Sequence, residues 1–238
     1  MITQNQIKLI NSLALKKNRY KHQLFVVEGK KNVAELINSD YEIDSLYATN
    51  NWINENPNVN AVNVSHSQLE RISSQKNPNS VLAIVKIKDD SIIADSGIIL
   101  VLDGLNDPGN MGTIIRICDW FGVRSIICSN NTVDKYNPKV VQSAMGSIFR
   151  VAVVYANLLE YLKAARLPVY GAFMNGDNVR DVSFPKDLYL VVGNEANGIS
   201  KDLANFINRS IKVKNSGNKA ESLNVAVATS ILLHEICS

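Results

Sequence analysis

The stretch from Ile98 to Arg116 constrains this chain more than any other. Five apolar residues, Ile98-Ile-Leu-Val-Leu102, stop at Asp103. A turn-rich segment with Pro108, Gly109 and Asn110 follows, and apolar residues then recur at Met111, Ile114, Ile115 and Cys118, which is helical spacing. The pattern predicts strand, loop and helix, with Asn110 as the helix N-cap. In open α/β sheets such loops sit at the carboxyl ends of strands and hold ligands. Arg116, about a turn and a half into that helix, is out of character. Taken alone it is a salt-bridge partner for Asp119 or Asp107.

The same alternation runs along the whole chain. Thr3-Gln4-Asn5-Gln6 reads as a capping box opening a helix with Ile7, Ile10 and Leu13 facing inward. Strands are expected at 24–28, 43–48, 59–64 and 81–87, with helices near 30–38, 50–56 and, after a second capping box at Ser65, 66–73. A charged, weakly patterned stretch from Lys88 to Ser96 reads as a linker. It separates an expected domain of residues 1–90 from a second α/β series in 97–238. That series has strands at 98–102, 124–128, 150–154, 168–173, 188–192 and 210–213. Its helices are expected at 111–121, 138–147, 157–166, 200–206 and 222–236, the last with Ser222 as its cap. Helix 222–236 is apolar nearly all round, as helices buried in a core or a subunit interface are.

Charge narrows the partners. Residues 1–31 hold seven Lys/Arg against the single acid Glu28, a local +6 in a chain whose total is +3. A basic arm at Lys16, Lys17, Arg19 and Lys21 suits a polyanion such as RNA. On charge alone a merely solvated face weighs equally. The three cysteines and three histidines follow no metal spacing, so no metal is expected and the thiols are expected reduced. There is no apolar signal core and no run of membrane-spanning length, so a cytoplasmic protein with no membrane partner is expected. The Rossmann spacing and the Walker loop are absent, as is any Ser/His pairing.

Two later loops are like the first in kind. Leu190-Val191-Val192 runs into Gly193-Asn-Glu-Ala-Asn-Gly198, and Ile211-Lys212-Val213 leads through a polar loop to Ser222-Leu223-Asn224. Together, Asp107 to Arg116, Gly193 to Gly198 and Ser222 to Val225 resemble the three motifs of the SpoU (TrmH) RNA 2′-O-methyltransferases, in the family's order. Ser143 to Arg150 resembles a further family segment. Phe25-Val-Val-Glu-Gly29 looks like part of the small RNA-binding domain that many members carry. The third motif departs from the family pattern: Ile-Lys-Val stands where Ile-Pro-Met is usual, and the loop to Ser222 is a few residues longer.

The resemblance implies a trefoil-knotted α/β methyltransferase domain of the SPOUT class, preceded by a small, ribosomal-protein-like α/β RNA-binding domain. It implies a homodimer with the active site near the subunit interface, and S-adenosylmethionine held largely by main chain. By motif position Gly193, Ile211 and Leu223 line the cofactor pocket. Asn110, Arg116, Glu195, Ser222 and Asn224 match the family's functional polar positions. Arg116 is the candidate for assisting the ribose hydroxyl, as alkoxide stabiliser or phosphate ligand, since guanidinium holds its proton. Ribosomal RNA, 23S first, is the implied substrate, with transfer RNA and a non-catalytic RNA-binding protein as the alternatives. Lys212, Lys214 and Lys219 either face RNA or keep the loop soluble.

Overall fold

The computed structural model describes residues 2–75, 77–78, 80–88, 96–217 and 221–238. The expected linker at 88–96, apart from its two end residues, lies outside the described residues, as does Lys219. The first part of the chain runs α1 (Gln4–Ser12), α2 (Lys16–His22), β1 (Leu24–Glu28), α3 (Lys30–Ile37), β2 (Ile43–Ala48), α4 (Asn50–Glu55), β3 (Val62–Asn63), α5 (His66–Glu70) and β4 (Val81–Lys86). There follow β5 (Ile98–Leu102), α6 (Pro108–Trp120), β6 (Ser125–Ser129), α7 (Pro138–Ala144), β7 (Ala152–Ala156) and α8 (Leu158–Lys163). The last elements are β8 (Val169–Asn178), β9 (Leu188–Val192), α9 (Lys201–Ala204), β10 (Arg209–Lys212) and α10 (Val225–Cys237). No helix among the described residues is long and apolar enough to cross a membrane.

The chain forms two compact units, residues 1–89 with 134–149, and residues 90–133 with 150–238. In the first unit the sheet order is β1-β4-β2-β3, with β4 antiparallel to both β1 and β2. Both capping boxes form: Thr3 and Ser65 each accept from the third helical N–H while that residue's glutamine reaches back. Ile7, Ile10 and Leu13 then point into a core with Val26, Tyr47, Leu69 and Leu82. The segment 134–149 completes this unit. Its helix α7 packs on β1, and Tyr136 stacks on Phe25 with ring centroids 4.3 Å apart.

Arg19 overturns one expectation. It is 1% exposed and lies inside the unit, not on a basic arm. Its guanidinium bonds the Asp134 carboxylate through Nε, at 3.0 Å, and through Nη2, and donates from Nη1 to the carbonyls of Leu13 and Ala14 at 2.9 and 2.8 Å. Four of its five N–H donors are used inside the unit and the side chain is buried, so this cation is not available to a phosphate. Lys16, Lys17 and Lys21 are exposed.

The second unit is built on a six-stranded sheet in the order β10-β8-β9-β5-β6-β7, parallel throughout. Ile99, Val101, Ile127 and Val191 fill its core with side chains from α8 and α9. From β5 the chain moves outward through β6 to β7, whereas β9, β8 and β10 lie on the other side. The topological switch point is therefore between β5 and β9, where parallel α/β sheets open a crevice for ligands.

Candidate functional site

The loops leaving β5 and β9 meet at that crevice. The Asp103 N–H continues the β5–β9 ladder to the Val192 carbonyl at 2.9 Å, and the Asp103 carboxylate accepts from the Ser200 N–H at 2.8 Å. Gly104 adopts φ +70°, a conformation that suits glycine. Its N–H donates to Ser129 Oγ at 2.8 Å, and its carbonyl accepts from Asn194 Nδ2 at 2.6 Å. Asn194 Oδ1 turns back to the N–H groups of Ala196 and Asn197, while its main chain exchanges two bonds with Gly198, at 3.0 and 2.9 Å. The 193–199 loop thus folds against its own start. A Cβ on Gly193 would meet the Gly198 carbonyl carbon at 2.1 Å and the Ile199 nitrogen at 2.2 Å. Glycine is needed there for the loop itself, whatever the loop then holds.

Asp107, not Asn110, caps α6. Its Oδ1 accepts the Asn110 N–H at 2.7 Å, and Pro108 takes the first helical position, where no N–H is missed. The cap frees the Asn110 side chain. Its Nδ2 donates to Glu195 Oε1 at 2.9 Å, and its Oδ1 accepts from Asn224 Nδ2 at 3.0 Å. Asn224 in turn caps α10, its Oδ1 accepting from the N–H groups of Ala226 and Val227. The expected cap Ser222 is two residues too early, because the helix starts at Val225 with Asn224 as its cap, and it lies exposed. One relay, Glu195–Asn110–Asn224, therefore joins the loops after β5, β9 and β10. Asn110 is oriented by it without ambiguity, since it must donate to a carboxylate and accept from an amide.

The remaining expected residues are distributed around this relay. Leu223 is 48% exposed, an uncovered apolar side chain beside a polar loop. Ile211 is fully buried, so only its main chain can face a ligand. Arg116 is exposed on α6, six residues beyond Asn110, about 9 Å along the axis and on another stripe of the helix. Among the described residues no carboxylate pairs with it. The anticipated partner Asp119 is bonded by Arg150, at 2.8 Å from Nη2 and 3.0 Å from Nε. Burial pushes the Cys118 thiol far above its ordinary range, in keeping with a packed core residue. Sequence reasoning missed Asp103, Gly104 and Asn194. The only signals were a Gly after a strand end and an Asn followed by small residues, both common in plain turns.

Comparison with known proteins decides what this crevice belongs to. The sequence profile of the SpoU rRNA Methylase family matches residues 97–234, and that of the MRM3-like substrate binding domain matches residues 4–83. The chain belongs to the SpoU rRNA methylase family. It is 30% identical over 238 residues to the 23S rRNA (guanosine(2553)-2'-O)-methyltransferase RlmP of Bacillus subtilis, spanning 97% of this chain and 95% of that one. A TrmH-family protein from Porphyromonas gingivalis superposes with a TM-score of 0.90 at 36% identity, covering 99% of this chain and 98% of its own. An AdoMet-bound rRNA methyltransferase from Sinorhizobium meliloti gives 0.88 at 27% identity, covering 99% and 95%. The two solved relatives share the fold over nearly the whole chain.

Proposed function

We propose that this protein transfers a methyl group from S-adenosylmethionine to a ribose 2′-hydroxyl of 23S ribosomal RNA. The observation that carries the reading is the Glu195–Asn110–Asn224 relay, which holds together the three motif loops at the switch point of a SpoU-family sheet. The cofactor fits the groups present. The loops offer main-chain donors and carbonyls at 193–199, the main chain of Ile211 and the exposed face of Leu223, a mixture that suits a sugar and an adenine ring. When bound, S-adenosylmethionine supplies an electrophilic methyl group. Asn110 and Glu195 keep the loop mouth in register, and Ser222, exposed at the end of the third loop, is placed to orient the ribose. Arg116 acts as a fixed cation for the ribose oxygen as its proton passes to water, since guanidinium stays charged at any working pH.

We further infer a homodimer built on α6 and α10. Thr113, Arg116 and Trp120 form one exposed stripe of α6 at three- and four-residue spacing, and Trp120 is 86% exposed. On α10, which packs against α6, Val227 is exposed and Ile231 half-buried. A second copy on this face covers the tryptophan and brings Arg116 beside the partner's crevice. The domain limits in sequence are taken as 1–90 and 97–238, with the matched profiles in support, while residues 134–149 fold with the first unit. The methyltransferase domain carries the trefoil knot of its class. Exposed Lys16, Lys17 and Lys21 meet RNA phosphates, and the setting is cytoplasmic.

The test is single-turnover methyl transfer to a 23S ribosomal RNA transcript, mapped to the nucleotide. Arg116→Ala is expected to lower the rate at saturating RNA by at least about a hundredfold, the lower end for removing one group that stabilises a developing oxyanion. A transcript with a 2′-deoxy target must be inert. Methylation of that transcript at the normal rate would remove the ribose hydroxyl from the reaction.

A further inference from the structure

The first unit carries an open groove that the reaction centre does not use. Two adjoining hollows of about 340 and 390 Å³ share a centre made by Ala14, Val26, Glu28, Ser74 and Pro138. One half runs past Ile10 and Ile72 to Arg71. The other runs past Val141 and Gln142 to Lys139. The centre is apolar on its walls, and each end carries a cation.

The floor is anionic and rigid. Glu28 is only 7% exposed. Its carboxylate accepts from the Ser74 N–H at 3.0 Å, the Ser74 hydroxyl at 2.7 Å and the Ser73 hydroxyl. A carboxylate has about four acceptor sites, so room for one more donor remains. Beside it Gln142 Oε1 accepts from Asn32 Nδ2 at 3.1 Å and Gln75 Nε2 at 2.9 Å. Those two bonds fix the amide so that its NH₂ end is the outward one. Among the described residues no acceptor is bonded to that NH₂. Arg71 gives Nη2 to Gln4 at 3.1 Å and has four further N–H donors.

We propose that this groove takes one unpaired nucleotide of the RNA substrate. The inference rests on the RNA reading above and adds the place and manner of recognition. A nucleobase needs apolar cover on its faces and polar groups at its edge, which is how proteins read unstacked RNA bases. The aliphatic walls supply the cover. Glu28 accepts one amino or imino N–H of the base edge, and Gln142 donates to a neighbouring carbonyl or 2′-hydroxyl. The phosphates on either side fall to Arg71 and Lys139, a cation at each end of a polyanionic strand.

The experiment uses the full chain and a labelled single-stranded RNA 12-mer of mixed sequence, against the same sequence as a duplex. Ala14→Phe places a ring in the groove centre, at an exposed position, without removing any hydrogen bond. It should weaken single-strand binding at least about tenfold and leave duplex binding and S-adenosylmethionine affinity unchanged. Arg71→Ala combined with Lys139→Ala, which fills nothing, should lower the salt slope of single-strand binding by about 1.4, two phosphates' worth. Unchanged single-strand affinity in either variant, with circular dichroism and cofactor binding intact, overturns the groove, and so does a wild-type protein that holds no single strand. The two readings fail separately. Groove-dependent binding without methyl transfer to any ribosomal RNA sinks the proposed reaction alone. Methyl transfer by Ala14→Phe with wild-type KM sinks the groove alone.

Discussion

Removing the Asp134 carboxylate should cost the first unit a large part of its stability. Asp134→Ala takes away the acceptor for Arg19 Nε and Nη2 and for the Tyr20 hydroxyl, at 3.0 Å. The guanidinium left behind is 1% exposed and cannot swing out to water, because Nη1 stays bonded to the Leu13 and Ala14 carbonyls. Breaking one side of a buried ion pair costs about 3–5 kcal/mol. With a urea slope of about 2 kcal/mol per molar, the midpoint should fall by roughly 2 M. The assay is built into the chain. Of its two tryptophans, Trp52 is buried in the first unit, so in a Trp120→Phe background intrinsic fluorescence reports that unit alone. Replacing both partners, Arg19→Met with Asp134→Leu, should restore most of the loss, since a buried pair is often no better than well-packed apolar groups. A shift below about 0.5 M for Asp134→Ala would refute the reasoning and return Arg19 to the surface.

Asn110→Ala removes two exposed bonds and should change stability by no more than about 1 kcal/mol, while freeing three loops and lowering the methyl-transfer rate by up to about a hundredfold; an unchanged rate would make the relay ornamental. Gly193→Ala should dislodge the 193–199 loop and abolish S-adenosylmethionine binding in calorimetry, and near-normal affinity would move the pocket elsewhere. Trp120→Lys should turn the proposed dimer into a monomer in sedimentation at micromolar concentration; a persisting dimer would put the interface on another face. Burial first, and then the Asp134 charge, push the Tyr20 phenol well above its ordinary value of 10.0. The fold favours the neutral phenol, so its contribution is full below that value and lost as pH climbs through the raised one. Tyr20→Phe should therefore flatten alkaline unfolding, and an identical pH profile would count against the coupling.

The sequence disclosed elements wherever a continuous apolar run was closed by turn residues. Strands 24–28, 43–48, 98–102 and 188–192 fall where the runs begin and end. The run at 59–64 reads just as well, yet only Val62 and Asn63 pair, because β2 offers β3 just Tyr47 and Ala48. Cap signals misled where several cap-forming residues stand in a row. Asp107 and Asn110 both qualify at α6, and Ser222 and Asn224 at α10, and only the start of the helical bonds chooses between them. At the site, the residues of the relay were readable singly through the family resemblance, but not their linkage, since Asn110 and Glu195 are 85 residues apart. Arg19 was misread for a similar reason. A local count of charge cannot see an acid 115 positions later.

That separation has a consequence for how the protein is made. Synthesis proceeds at about 5–20 residues per second, so Arg19 is joined to the chain roughly 6–23 s before Asp134. By the end of that interval β1 to β4 have all been made, but the buried guanidinium still has no counter-ion. The first unit thus cannot finish when its own sheet has been translated. Its last step waits on a segment that belongs, in chain order, to the methyltransferase half.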